Sequence, residues 1–97
     1  MTRVRYDPAA PEMVFSGHAG AGEPGRDPVC AALSMLMYTL LAALPAGETE
    51  RELNDGFCRV RGGGSGPYEV IAAGLRLLAA EYPEHVCLEV RKWRRRY

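Results

Sequence analysis

The chain has 97 residues, a length that suits one domain, and we expect a single domain over residues 1–97. Apolar residues make up 47% of the chain and charged residues 25%, which is the composition of an ordinary globular protein with a modest core. The 12 Lys and Arg balance the 12 Asp and Glu, so no net charge attracts nucleic acid or an anionic membrane.

Cysteine content indicates a reducing compartment. The 3 cysteines cannot all pair internally, and no basic-then-apolar leader precedes the first predicted strand. We therefore expect free thiols and a cytoplasmic protein. The longest apolar run, residues 31–44, has 14 residues, fewer than the roughly 20 that span a bilayer. It predicts a buried helix and no membrane partner.

The first half of the chain predicts a hairpin, a loop and a helix. Alternating residues indicate a strand over 2–6, expected at a sheet edge, and a second strand over 12–16. Residues 19–29 are rich in Gly and Pro and have few bulky side chains, so we expect a weakly anchored, mobile loop. Asp27 and Pro28 predict the N-cap and first residue of a helix that ends before Pro45.

The second half repeats the pattern of a hairpin followed by a helix. The Asp55-Gly56 pair predicts a tight turn, because Asp-Gly is a strong hairpin sequence. The predicted elements are strands 49–53 and 57–61, a flexible Gly-rich connector 62–66, a helix 67–82 and a final strand 86–92. The order ββαββαβ predicts an α+β fold: two helices packed on a small mixed, mostly antiparallel sheet.

His18 and Cys30 are the main candidates for chemistry. His18 follows a predicted strand, and Cys30 is the third residue of the helix that packs back on the sheet, so the two can meet. The helix N-terminus favours thiolate over thiol, and its free N–H groups can hold an oxyanion. A nucleophile, a base and an anion site would then share one strand-loop-helix unit.

Two residues near Cys30, Asp27 and Ser34, each have more than one possible role. Asp27 either caps the helix or orients His18, and capping is favoured because its charge opposes a thiolate nearby. Ser34, one turn after Cys30, either bonds His18, lines the pocket or simply permits close packing. The His and Cys spacings do not match a zinc site.

Other polar features are expected to be structural. Cys58 and Cys87 are expected to be buried in strands, and His85 is expected to be exposed in a turn away from Cys30. The connector 62–66 lacks the Lys-Ser/Thr ending of a phosphate-binding loop. The basic tail 91–97 can meet rRNA phosphates or an acidic partner, but a solvated tail is favoured. Trp93 is expected at the sheet edge or a dimer interface.

One segment resembles a known family. The pattern runs Gly17-His18-Ala19, a Gly-rich loop, Gly25, Asp27, Val29-Cys30-Ala31-Ala32 and Ser34. It resembles the ribosomal-processing cysteine protease family (Prp), and the predicted element order agrees over nearly the whole chain. Pro28, where a branched aliphatic residue is expected, and the basic tail depart from the family pattern.

The resemblance implies an activity and a set of site residues. It implies a homodimeric cysteine endopeptidase without a cofactor, in which Cys30 is the nucleophile and His18 the general base. Asp27 and Ser34 would support them, and Gly20, Gly22 and Gly25 would form a loop that orders over the substrate. The implied substrate is the N-terminal extension of bacterial large-subunit ribosomal protein twenty-seven.

Three other functions remain open. A phage-type relative would cleave a phage structural protein. A non-enzymatic binding module would keep the fold but not the activity, and would bind the ribosome or take part in phage assembly. A thiol redox protein would use Cys30 with a partner sulfur. Because a solvated basic tail is favoured, we expect no direct contact with nucleic acid.

Overall fold

The fold is the predicted α+β arrangement in the order ββαββαβ. The computed structural model describes residues 1–23 and 25–91. Its elements are β1 (Thr2–Asp7), β2 (Glu12–Ser16), α1 (Pro28–Ala43), a 3₁₀ turn (Ala46–Glu48), β3 (Thr49–Asn54), β4 (Phe57–Gly62), α2 (Gly66–Glu81) and β5 (Val86–Val90). The predictions for Trp93 and for the tail beyond Arg91 lie outside these residues.

The five strands form one mixed sheet in the order β3-β4-β2-β1-β5. Every neighbouring pair is antiparallel except β1 and β5, which run parallel from Thr2 opposite Val86 to Tyr6 opposite Val90. The prediction that β1 lies at a sheet edge is therefore wrong. The chain returns through α2 and places β5 along the free side of β1, a long-range pairing with no local sequence pattern.

One face of the sheet carries the core. On β1, Val4 and Tyr6 are buried while Arg3 and Arg5 face solvent, as the alternation of a half-buried strand requires. Buried residues of both helices join the strand residues in a single apolar cluster. Two helices therefore cover one face of the sheet, and the other face remains polar.

Arg51 connects the edge strand β3 to the end of α1. Its Nη2 donates to the carbonyl oxygens of Leu41 at 2.8 Å and Leu44 at 3.1 Å. These acceptors lie in the last turn of the helix and at its C-cap, where carbonyl groups lack intrahelical partners. The contact holds α1 beside the β3–β4 hairpin. Neither helix of the described chain combines the length and apolar character needed to cross a membrane.

Candidate active site

A cleft of about 470 Å³ contains both His18 and Cys30. Its volume lies in the range of small-molecule and peptide pockets. The lining residues come from the start of β1, from the end of β2 and the two residues after it, from α1 and from the β3–β4 hairpin. They are Thr2, Phe15, Gly17, His18, Cys30, Leu33, Ser34, Met37, Tyr38, Leu53, Asn54, Asp55, Gly56, Phe57 and Cys58.

Cys30 is half-buried in the first turn of α1, at the position that the sequence predicts. The backbone N–H of Ala19 donates to its Sγ across 3.4 Å. A hydrogen bond to the sulfur stabilises negative charge there, as does the positive end of the helix dipole. The Cys30 sulfur therefore lies beside two groups of positive polarity, the Ala19 N–H and the N-terminus of α1.

Asp27 is the N-cap of α1. Its Oδ1 accepts from the N–H groups of Val29 at 2.9 Å and Cys30 at 3.0 Å, and its Oδ2 accepts from Ala21 at 2.9 Å. The bond from Cys30 is the main cause of a lowered pKa for this carboxyl, with further contributions from Ala21 and Val29. Both oxygens are engaged by backbone groups. The N–H groups of Val29 and Cys30, which were candidates for an oxyanion site, therefore already have an acceptor.

His18 stands on the opposite wall of the site and is largely exposed, at 67% of its side-chain area. Its Nε2 lies 3.8 Å from Oδ1 of Asp55, and its ring packs against Gly56, where an added Cβ would approach Nε2 to 3.0 Å. In the described part of the chain, no hydrogen bond joins His18 to Cys30. The ring is thus in the same cleft as the thiol but faces the hairpin turn.

Gly17 fixes the backbone just before His18. Its φ is +85°, and a Cβ there would lie 2.5 Å from the carbonyl oxygen of Met1. Its N–H donates to Gly56 at 2.8 Å, and its carbonyl accepts from the hydroxyl of Thr2 at 3.1 Å. Only glycine suits this conformation and this spacing. The start of the loop is therefore rigidly attached to β1 and to the β3–β4 turn.

Ser34 lies on the same wall of the cleft as Cys30 and is exposed. Met37, Tyr38 and Leu53 continue the lining beyond it, and Tyr38 and Leu53 are more than half exposed. Large apolar side chains left open to water in a cleft are a common feature of peptide-binding sites. The site therefore offers an apolar surface next to the thiol.

The loop carrying Gly20, Gly22 and Gly25 is anchored at its first residues. Ala19 is only 1% exposed, and the bond from Ala21 to Asp27 fixes the next turn. The expectation that little anchors this loop is therefore wrong for its beginning, because the small side chains of Ala19 and Ala21 pack against the core. Gly20 and Gly25 have positive φ values of 70° and 81° with open space around them. A Cβ on Gly22 would lie 2.9 Å from the carbonyl oxygen of Arg26.

His85 is not where the sequence suggested. It is half-buried, and its Nδ1 lies 2.9 Å from the carbonyl oxygen of Ala19, the residue that contacts Cys30. The expectation of an exposed histidine away from Cys30 is wrong. The contact depends on the parallel pairing of β5 with β1, which brings together residues 66 positions apart. No local pattern in the sequence reveals it.

The remaining cysteines differ from each other. Cys58 is buried as expected, and burial raises the pKa of its thiol. Cys87 is half-buried, opposite Arg3 in the sheet register, so the expectation of a buried side chain is wrong for it. All three thiols are free. Among residues 1–23 and 25–91, no three His, Cys, Asp or Glu side chains lie together as metal ligands.

Comparisons with known proteins agree on fold and family. The family model described as cysteine protease Prp matches residues 1–87. A crystal structure of the S. aureus ribosomal processing protease Prp with a covalently linked product peptide superposes with a TM-score of 0.84 at 22% identity, covering 94% of this chain and all of that one. The same protease with a substrate peptide gives a TM-score of 0.76 at 20% identity, with 94% and 100% coverage.

A third structure, SMU.848 from Streptococcus mutans, gives a TM-score of 0.67 at 25% identity over 95% of this chain and 93% of that one. A search of the curated proteins found no match. The fold, the cleft and the family model together define a cysteine peptidase. The chain belongs to the cysteine protease Prp family, as the resemblance over Gly17–Ser34 predicted.

Proposed function

We propose that the protein is an endopeptidase that removes the N-terminal extension of bacterial large-subunit ribosomal protein twenty-seven, with Cys30 as nucleophile and His18 as general base. The observation that carries the proposal is the single cleft that contains both side chains, with the Ala19 N–H directed at the Cys30 sulfur. The substrate is inferred from the family of the chain, whose S. aureus member is described as a ribosomal processing protease.

The proposed reaction has two acyl-transfer steps. His18 takes the proton of the Cys30 thiol, the thiolate attacks the scissile carbonyl carbon, and the C–S bond forms as the carbonyl oxygen becomes negative. The C–N bond then breaks, and His18 gives its proton to the leaving amine. In the second step His18 takes a proton from water, the hydroxide attacks the thioester carbon, and the C–S bond breaks to return the thiolate.

This mechanism requires His18 to turn toward Cys30. The ring is two-thirds exposed and has only Asp55 and the Gly56 backbone beside it, so rotation about its side-chain bonds costs little. A peptide in the cleft would cover the ring and remove its access to water. We propose that substrate binding completes the dyad, and that Gly20, Gly22 and Gly25 let the loop close over the peptide. Asp27 and Ser34 support this arrangement as the helix cap and as part of the cleft wall.

The setting of the reaction is also a proposal. We place the protein in the cytoplasm, where ribosomal proteins are made and thiols stay reduced. We propose a homodimer, consistent with the exposed apolar side chains on α1 and α2, including Met35, Val70 and Leu77.

A cleavage assay tests the proposed function. The purified protein is mixed with a bacterial ribosomal protein twenty-seven that carries its extension, and cleavage is followed by mass spectrometry. Wild type and the control Cys87→Ala, which changes a thiol outside the cleft, are expected to cleave at the same rate. Cys30→Ala is expected to show no cleavage. Cleavage by Cys30→Ala, or no cleavage by the wild type, would contradict the proposal.

A further inference from the structure

His85 donates a hydrogen bond into the loop that covers the active cysteine. Its Nδ1 lies 2.9 Å from the carbonyl oxygen of Ala19, and since a carbonyl oxygen only accepts, Nδ1 carries the proton. The backbone of His85 is itself fixed: its N–H donates to Tyr82 at 3.0 Å, and its carbonyl accepts from the N–H of Thr2 at 2.9 Å. The imidazole therefore extends from a rigid position at the start of β5.

Ala19 is consequently held through both of its backbone polar groups. Its carbonyl accepts from His85, and its N–H donates to Sγ of Cys30 across 3.4 Å. The residue is 1% exposed, so its alternative positions are restricted by packing as well. A continuous line of contacts therefore runs from β5 through Ala19 to the first turn of α1.

The N–H groups in the first turn of α1 are not available to bind a substrate oxygen. Those of Val29 and Cys30 donate to the Asp27 carboxylate at 2.9 and 3.0 Å. A charged acceptor holds such donors strongly, so they are poorly placed to transfer to a substrate oxygen. The Ala19 N–H donates instead to the nucleophilic sulfur itself. In the tetrahedral intermediate the negative oxygen is two bonds from that sulfur, within the reach of the same donor.

We propose that His85 is a positioning residue of the peptidase: it holds Ala19 so that the Ala19 N–H stays directed at Cys30 and stabilises the oxyanion of the tetrahedral intermediate. The oxyanion role rests on the proposed function. The positioning of the Ala19 N–H on the Cys30 sulfur does not, because it is a property of the free protein. His85 itself transfers no proton and contacts no reacting atom.

The test uses a matched pair of substitutions. Asn and Leu have nearly the same shape, and the Asn side-chain nitrogen can take the place of Nδ1 as a donor to Ala19, whereas Leu has no donor. His85→Asn and His85→Leu are compared with wild type and with Glu84→Ala, which changes the exposed neighbouring residue. Thermal unfolding shows that each variant is folded. Should His85→Leu not fold, His85→Ala replaces it as the variant without a donor.

Two rates are measured on each variant. The first is cleavage of ribosomal protein twenty-seven with its extension, where His85→Leu is expected to lower kcat about tenfold with KM within about twofold, and His85→Asn to stay within about threefold of wild type. The second is alkylation by iodoacetamide at neutral pH, measured on the tryptic peptide 27–51, in which Cys30 is the one cysteine. His85→Leu is expected to slow it about threefold, and His85→Asn to leave it unchanged.

Equal rates for the Leu and Asn variants in both measurements would overturn the proposal, whether both fall or neither does. A change in KM alone would also overturn it, because an oxyanion contact acts in the transition state. Absence of cleavage by the wild type would contradict the proposed function, and alkylation alone would then decide whether His85 positions Ala19.

Discussion

The two sides of the cleft are built in different ways. Around Cys30, the Asp27 cap and the Ala19 N–H form hydrogen bonds of 2.9 to 3.4 Å, and the thiol is half-buried. Around His18, the neighbours are the exposed Asp55 carboxylate at 3.8 Å and the backbone of Gly56. The proposed nucleophile, Cys30, is therefore held in place in the free protein, whereas the proposed base, His18, is not.

This difference assigns separate tasks to the two sides. Because the sulfur and the N–H donor beside it are already in position, the groups around them need to move little when negative charge develops in the transition state. An exposed imidazole can rotate, and it becomes effective only when a bound peptide restricts it. Such a protein would keep a reactive thiol but cleave poorly until the correct peptide fills the cleft. Changes on each side are therefore expected to have different effects.

The largest effect is expected from His18→Gln. Loss of the proposed general base is expected to lower kcat about 10³-fold, which lies within the usual range for this role. Alkylation of Cys30 is expected to fall less than about tenfold, because Ala19 and the helix N-terminus act on the sulfur without His18. Both rates are measured as for the His85 variants, with Glu84→Ala as the control substitution at an exposed residue outside the cleft. A loss of alkylation as large as the loss of cleavage would contradict the separation of the two sides.

The next effect is expected from Gly17→Ala. An added Cβ would lie 2.5 Å from a backbone oxygen at a φ of +85°, so we expect a loss of about 3 kcal/mol in the free energy of unfolding. Gly20→Ala is the matched control, because its φ is +70° but its Cβ would meet open space. The control is expected to lose only about 1 kcal/mol. Urea unfolding measures both, and equal losses would show that the contact with Met1 is unimportant.

A pH-dependent effect is expected from Asp27→Asn. The pKa of this carboxyl is lower in the folded state than its ordinary value of 3.8, so its stabilising contribution is complete above that value. The contribution is lost as pH falls through the lower folded-state pKa. We therefore expect Asp27→Asn to be less stable than wild type at pH 7 and the difference to shrink as the pH falls below 3.8.

Urea unfolding at neutral pH and at several acidic values measures this difference. Glu84→Gln removes an equal charge from an exposed position and gives the baseline. A stability difference that stays constant with pH would show that the Asp27 carboxylate does not carry the effect. Cleavage is also expected to fall, because an amide nitrogen cannot accept the Ala21 N–H that anchors the loop.

The smallest effect is expected from Asp55→Asn. The carboxylate is 99% exposed and 3.8 Å from Nε2 of His18, a geometry in which solvent screens the attraction. We expect kcat/KM to change less than about threefold, and the difference to disappear at about 0.5 M salt. A larger, salt-resistant loss would show that Asp55 holds His18 in the substrate complex, and the base would then be less free than its exposure suggests.

Local sequence patterns predicted most of the fold. The Asp27-Pro28 pair marks the start of α1, and the Asp55-Gly56 pair marks the β3–β4 turn. Both are predictable because the preferred backbone conformation of each pair depends only on the residues themselves. The position of Cys30 in the first helical turn follows directly. The opposed positions of His18 and Cys30 in one cleft also follow from a strand that leads into a packed helix.

Long-range pairings were not predictable in the same way. β1 lies inside the sheet because β5 returns along it, and that pairing brings His85 to Ala19 across 66 residues. Hydrophobic alternation shows that a residue lies in a strand but not which strand becomes its neighbour. The capping of α1 by Asp27 was predicted, but sequence alone does not show that one carboxylate oxygen accepts from both Val29 and Cys30 and the other from Ala21.

The most direct test of Cys30 as nucleophile is to trap the acyl-enzyme. The protein is mixed with an excess of substrate, quenched with acid within a single turnover and analysed by intact-mass and peptide mass spectrometry. The proposed mechanism predicts a thioester on peptide 27–51 whose added mass equals the N-terminal product minus water, and its absence in Cys30→Ala. An adduct on another residue, or product formation by Cys30→Ala, would contradict it.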